Sequence, residues 1–111
     1  MDDERAARIA QNEAIYRSVN EKIEDLNRAF APVLETMAIV CECGDVSCAT
    51  QIEVDLTTYE RIRADPFLFF VVPGHEITDV EDVVEERDGY LVVRKSRPQG
   101  QAIARETDPR S

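Results

Sequence analysis

Apolar residues recur at helical spacing from Glu4 to about residue 31. Ile9, Tyr16, Ile23 and Phe30 fall seven apart, and Val19, Leu26 and Val33 form a second row between them. The spacing predicts a long amphipathic helix over 4–31, ended by Pro32. Acids stand four residues before bases at Glu4 and Arg8, Glu13 and Arg17, and Glu24 and Arg28, each pair adding about 0.2–0.5 kcal/mol on a solvated face. The two rows resemble a heptad seam, but Asn12 interrupts it and the pattern is short. The stripe therefore has two readings. Either it covers the domain's own sheet, or it is a homodimer seam or docking helix for a protein partner, with Ile9, Tyr16, Val19, Ile23, Leu26 and Phe30 as contact residues.

From residue 37 the period changes to two. Met37, Ile39, Cys41 and Cys43 alternate with Ala38, Val40 and Glu42, so 37–43 reads as a strand whose odd positions share a face. Gly44 and Asp45 turn the chain. Ile52, Val54 and Leu56 then alternate with Glu53 and Asp55 in a strand over 51–56, which pairs with the first as a hairpin carrying thiols at its tip. Thr57 or Thr58 is expected to cap a short helix over 58–64, stopped by Asp65-Pro66. Phe67 to Val72 is an apolar run that ends at Pro73-Gly74, the turn presenting His75. Two valine-rich runs between Val80 and Lys95 flank Asp88-Gly89, the preferred dipeptide of a type I′ hairpin turn, and read as antiparallel strands; 79–86 also admits a helical turn. Beyond Lys95 the periodicity stops while proline, glycine and charge rise, which predicts a disordered tail over 96–111. The expected fold is one α+β domain over 1–95: a long N-terminal helix packed on a small antiparallel sheet of about four or five strands, one short helix and a cysteine knuckle within 36–95.

At 111 residues and 43% hydrophobic, the chain buries one modest core that added staples would help. Its 13 basic residues stand against 23 acidic ones, a net charge of -10 that opposes nucleic acid, because phosphate binding needs clustered lysine and arginine. No apolar run reaches the ~20 residues of a membrane span. The start MDDERAARIA is acidic where a signal peptide is basic and then apolar. The expected location is the cytoplasm, without membrane contact.

That location bears on the chemistry, since clustered cysteines in a reducing compartment are more often metal ligands or redox groups than disulfides. Cys41, Cys43 and Cys48 fall within eight residues, CECGDVSC, and the single histidine, His75, sits in VPGHE. Three thiolates and one imidazole make a closed tetrahedral site, so a structural zinc is expected, with a site charge near -1. The alternatives are a metal-free cluster, buried or redox-active, and another metal. An iron-sulfur cluster is the minor option: CDGSH-type redox proteins use three cysteines and a histidine, though from one short segment, whereas His75 lies 27 residues after Cys48. Asp45 and Glu76, beside the proposed ligands, are candidate acceptors for the imidazole or for backbone amides near the thiolates. No phosphate-cradling glycine loop, HExxH, GxSxG or second histidine is present, which argues against an enzyme.

CECGDVSC, the strand after it, LTTYERIRADP, VPGHE and DGYLVV together resemble an uncharacterised family of small bacterial proteins, over about residues 12 to 95. The resemblance implies that Cys41, Cys43, Cys48 and His75 act as a set, and it carries no activity. The functional expectation is a small zinc-stabilised protein that binds another protein, with a thiol-based redox or metal sensor as the alternative.

Overall fold

A computed structural model describes residues 2–30 and 35–110, with Phe30 described in its backbone alone. The predicted helix end at residue 31, the Pro32 stop, Val33 and the Phe30 side chain lie outside the described residues. The architecture is α+β. In chain order it runs α1 (Asp3–Phe30), β1 (Thr36–Val40), β2 (Gln51–Asp55), α2 (Leu56–Arg63), β3 (Leu68–Val71), β4 (Glu81–Arg87), β5 (Tyr90–Lys95) and α3 (Pro98–Glu106). No helix among the described residues is long and apolar enough to cross a membrane.

The five strands divide into two antiparallel sheets, β1-β2 and β3-β5-β4, where a single sheet was expected. Glu42 stands at the junction. Its N–H donates to Phe70 O at 2.7 Å and its Oε1 accepts from Phe70 N at 3.0 Å, so the chain leaving β1 pairs briefly with β3 before turning away. Met37, Ile39, Ile52 and Val54 from the first sheet meet Phe69, Phe70, Val92 and Val93 from the second, with Tyr59 and Ile62 of α2 completing the core. Tyr59 stacks on Phe70 at 5.6 Å and Phe70 meets Tyr90 edge-on at the same distance.

Of segment 79–86, Asp79 and Val80 lie in a turn closed by Val80 N to Ile77 O at 3.0 Å, and the strand begins at Glu81. β4 and β5 join through the two-residue turn Asp88-Gly89, with Arg87 opposite Tyr90. The turn is not type I′, which needs positive φ at both central residues; only Gly89 has it, at 90°. The cap of α2 is Asp55 rather than Thr57 or Thr58: its carboxylate accepts the Thr58 N–H at 2.7 Å and the Thr58 hydroxyl at 2.8 Å, so the helix starts two residues earlier than expected.

α1 turns a different face inward from the one its apolar rows marked. Its buried side runs through Ala6, Ile9, Ala10, Glu13, Ala14, Arg17, Asn20, Glu21 and Glu24. Tyr16 and Ile23 are half-buried, while Val19 is 41% and Leu26 59% exposed. Small residues let the helix approach closely near its start, and from Glu13 on the inward positions other than Ala14 are polar groups, several of them with distant partners. Glu13 pairs with buried Lys95 at 2.6 Å rather than with Arg17. Arg17 donates instead to Pro66 O at 2.7 Å, Ala104 O at 2.8 Å and Thr107 Oγ1 at 3.0 Å. Asn20 holds both polar groups of Val40, at 2.8 Å each, and so occupies the outer edge of β1 as another strand would.

The expected disordered tail is also corrected: Pro98–Glu106 is helix α3, packed against α1. It has too few large apolar residues to announce itself and buries only Gly100 and Ala104, docking chiefly through the Arg17 guanidinium. Past it, Arg110 donates to Glu21 at 2.7 and 3.2 Å and to Glu60 at 2.7 and 3.2 Å. Hydrogen bonds from Arg110 hold the Glu60 carboxyl down at about 2. A depressed carboxyl contributes stability that is present above its unfolded value, about 4.3, and lost as pH falls towards 2. Arg110→Gln should therefore be less stable than the parent in urea titrations at pH 6, with the gap narrowing by pH 2.5; a gap that stays constant would show that the Glu60 contact contributes nothing.

Candidate metal centre

The alternation of β1 continues past its end and delivers two of the thiols. Cys41 and Cys43 are buried on the face of Met37 and Ile39, and Cys41 N still bonds Thr50 O at 2.8 Å as an extension of the β1-β2 ladder. Gly44 to Thr50 then forms an irregular turn, tied by Cys48 N to Asp45 O at 3.1 Å, which returns half-buried Cys48 to the pair. His75 arrives from the other sheet. The turn Val72-Pro73-Gly74-His75 closes with His75 N to Val72 O at 2.9 Å, and Gly74 takes φ 94°, the type II pattern of proline followed by glycine.

One donor atom from each of Cys41, Cys43, Cys48 and His75 lies within 4.8 Å of the others. Nδ1 of His75 is 3.7 Å from Cys41 Sγ and 3.5 Å from Cys48 Sγ. Zinc with sulfur at about 2.3 Å and nitrogen at about 2.0–2.1 Å sets a tetrahedral S···N edge of about 3.5–3.6 Å and an S···S edge of about 3.8 Å. The donor set thus fits a tetrahedral, thiophilic ion with little rearrangement.

Without a cation the thiols differ sharply. Burial pushes Cys41 up to about 12 and also raises Cys43. Burial raises Cys48 too, but hydrogen bonds from the Thr50 backbone and hydroxyl, Cys43 and His75 outweigh it and bring Cys48 to about 7. Two of the ligands therefore need a bound cation to ionise, and loading the site releases their protons. The backbone is ready for the resulting charge: Val72 N donates to Cys41 Sγ at 3.2 Å.

Asp45 and Glu76 both serve loop amides. Asp45 Oδ1 accepts from Ser47 N at 2.9 Å and Ser47 Oγ at 2.7 Å, and these bonds hold its carboxyl below the usual range. Glu76 Oε1 accepts Gly74 N at 2.7 Å. Both line a groove of about 270 Å³ that runs between the two turns beside Cys43 and His75.

Several residues that shape the centre carried no signal in the chain. Glu42, between two ligands, is fully buried; it pairs with Arg63 and accepts Asn20 Nδ2 at 2.7 Å. Gly44 leaves room for Ile9: a Cβ there would meet Ile9 Cγ2 at 2.7 Å. That methyl sits on a β-branched side chain with little rotamer freedom, so Gly44→Ala should cost about 1–3 kcal/mol by thermal unfolding; an unchanged melting temperature would show slack in the turn. Ile9, Tyr16, Val19, Ile23 and Leu26 do not gather at the centre as a group. Ile9 packs on Gly44 and Tyr16 bonds Val46 O at 2.6 Å. No family model, curated protein or solved structure matches the chain.

Proposed function

We propose that this is a small zinc-stabilised cytoplasmic protein that acts by binding another protein rather than by catalysis. The carrying observation is the convergence of Cys41, Cys43, Cys48 and His75, all within 4.8 Å. Such a set fills every position of a tetrahedral zinc and leaves none for a substrate or an activated water. Three thiolates favour zinc over the hard cations, which take oxygen ligands. Support for the binding role is Val19 and Leu26, with Ile15 at 59% exposure, along the outer face of α1, an apolar row of the kind a partner helix or groove covers. The net charge of -10 directs the partner away from nucleic acid.

The test is native mass spectrometry of protein purified without added metal, with a count of alkylatable thiols. One zinc per chain with three protected thiols supports the reading. Three reactive thiols and no metal overturn it. The second reading, a thiol redox sensor, is favoured by the half-exposure of Cys48 on an irregular turn. Reversible loss of metal under mild peroxide, with the domain still folded, would select it.

A further inference from the structure

The centre takes ligands from the β1 extension, the following turn and the 72–75 turn, yet α1, which supplies none, holds the loop between the ligands. Asn12 Nδ2 donates to Gly44 O at 3.2 Å, and the Tyr16 hydroxyl donates to Val46 O at 2.6 Å. Ile9 packs against Gly44. These three positions lie three and four apart, on one face of the helix. The carbonyls they hold flank Asp45, in the stretch between Cys43 and Cys48 that has no strand partner.

We infer that Asn12 and Tyr16 are positioning residues for the metal, and that occupancy of the centre and the state of α1 are thermodynamically linked. The inference rests on the metal reading above and adds a regulation to it. The turn from Gly44 to Ser47 must adopt one conformation for Cys48 to meet Cys41 and Cys43. Fixing it costs backbone entropy for each residue ordered. Two side-chain bonds from a long helix lower that cost before the metal arrives, as preorganisation does for any ligand. Coupling is reciprocal, so a bound metal also restrains the turns of α1 that carry Asn12 and Tyr16. Those turns present Ile15 and Val19 to solvent, so the linkage reaches the face proposed for protein binding.

The experiment uses the full chain with zinc as the probe. Zinc affinity is measured by competition with a chromogenic chelator, and urea stability is measured with and without zinc. Tyr16→Phe and Asn12→Ala are compared with Ser18→Ala, an exposed position on the same helix. Loss of an outer partner of a metal ligand typically weakens binding 10–100-fold. Each positioning variant is expected to raise the zinc Kd about tenfold while changing the zinc-free stability little, and Ser18→Ala to leave the Kd unchanged. Equal loss of stability with and without zinc, at unchanged Kd, would make Asn12 and Tyr16 ordinary packing contacts and overturn the inference alone. A parent protein that binds no zinc would overturn the metal reading itself.

Discussion

Stripping the metal with a strong chelator should lower the melting temperature by roughly 15 °C or more, and Cys41→Ser should do the same without chelator. Binding at 1,000 times Kd stabilises a folded chain by about 4 kcal/mol, and a domain of this size shifts by about 4 °C or more per kcal/mol. The effect is large because the ligands are shared between the two sheets: Cys41 and Cys43 extend β1, while His75 follows β3. Losing the ion also leaves Cys41 and Cys43, both buried, facing one another at the place where the sheets meet. Scanning calorimetry with metal analysis on the same samples checks this. A metal-free protein that melts where the loaded one does would mean that the centre contributes nothing to the fold.

Glu42→Ala should cost about 3–5 kcal/mol in urea unfolding, more than any surface change in the chain. Glu42 accepts from Asn20 of α1, Arg63 of α2 and Phe70 of β3, and its removal leaves the Arg63 guanidinium buried without its main counter-charge. Breaking a buried pair on one side has about that cost, whereas replacing both members by apolar groups is often neutral. The double variant Glu42→Met with Arg63→Met should accordingly recover most of the loss. If instead the double variant is as unstable as the sum of the two single ones, the charges act independently and the network account is wrong.

The cysteine cluster, the β1-β2 hairpin and the β4-β5 hairpin were legible because each rests on local chemistry: cysteines close in the chain, alternation of apolar and polar positions, and an Asp-Gly turn. The inward face of α1 was not legible. Pattern reading scores apolar residues, and this face spends Glu13, Arg17, Asn20 and Glu24 on the interior. Their inward orientation depends on partners such as Lys95, 82 residues away, which no local pattern announces. The same cause hid α3, whose docking depends on a guanidinium from α1 bonding Ala104 O. The junction of the two sheets at Glu42 was hidden because its partner Phe70 lies 28 residues away and leaves no mark in the local alternation.

The period-two order of residues 40 to 43 also limits how this chain can drift in evolution. Cys41 and Cys43 take one side and Glu42 the other, so a single inserted or deleted residue would exchange thiols for carboxylate. One such event would abolish two of the candidate metal ligands and the Arg63 counter-charge together, with no intermediate that keeps either. Relatives of this chain are therefore expected to vary in length within the Gly44–Cys48 turn or beyond it, and to keep the spacing from Val40 to Cys43 invariant.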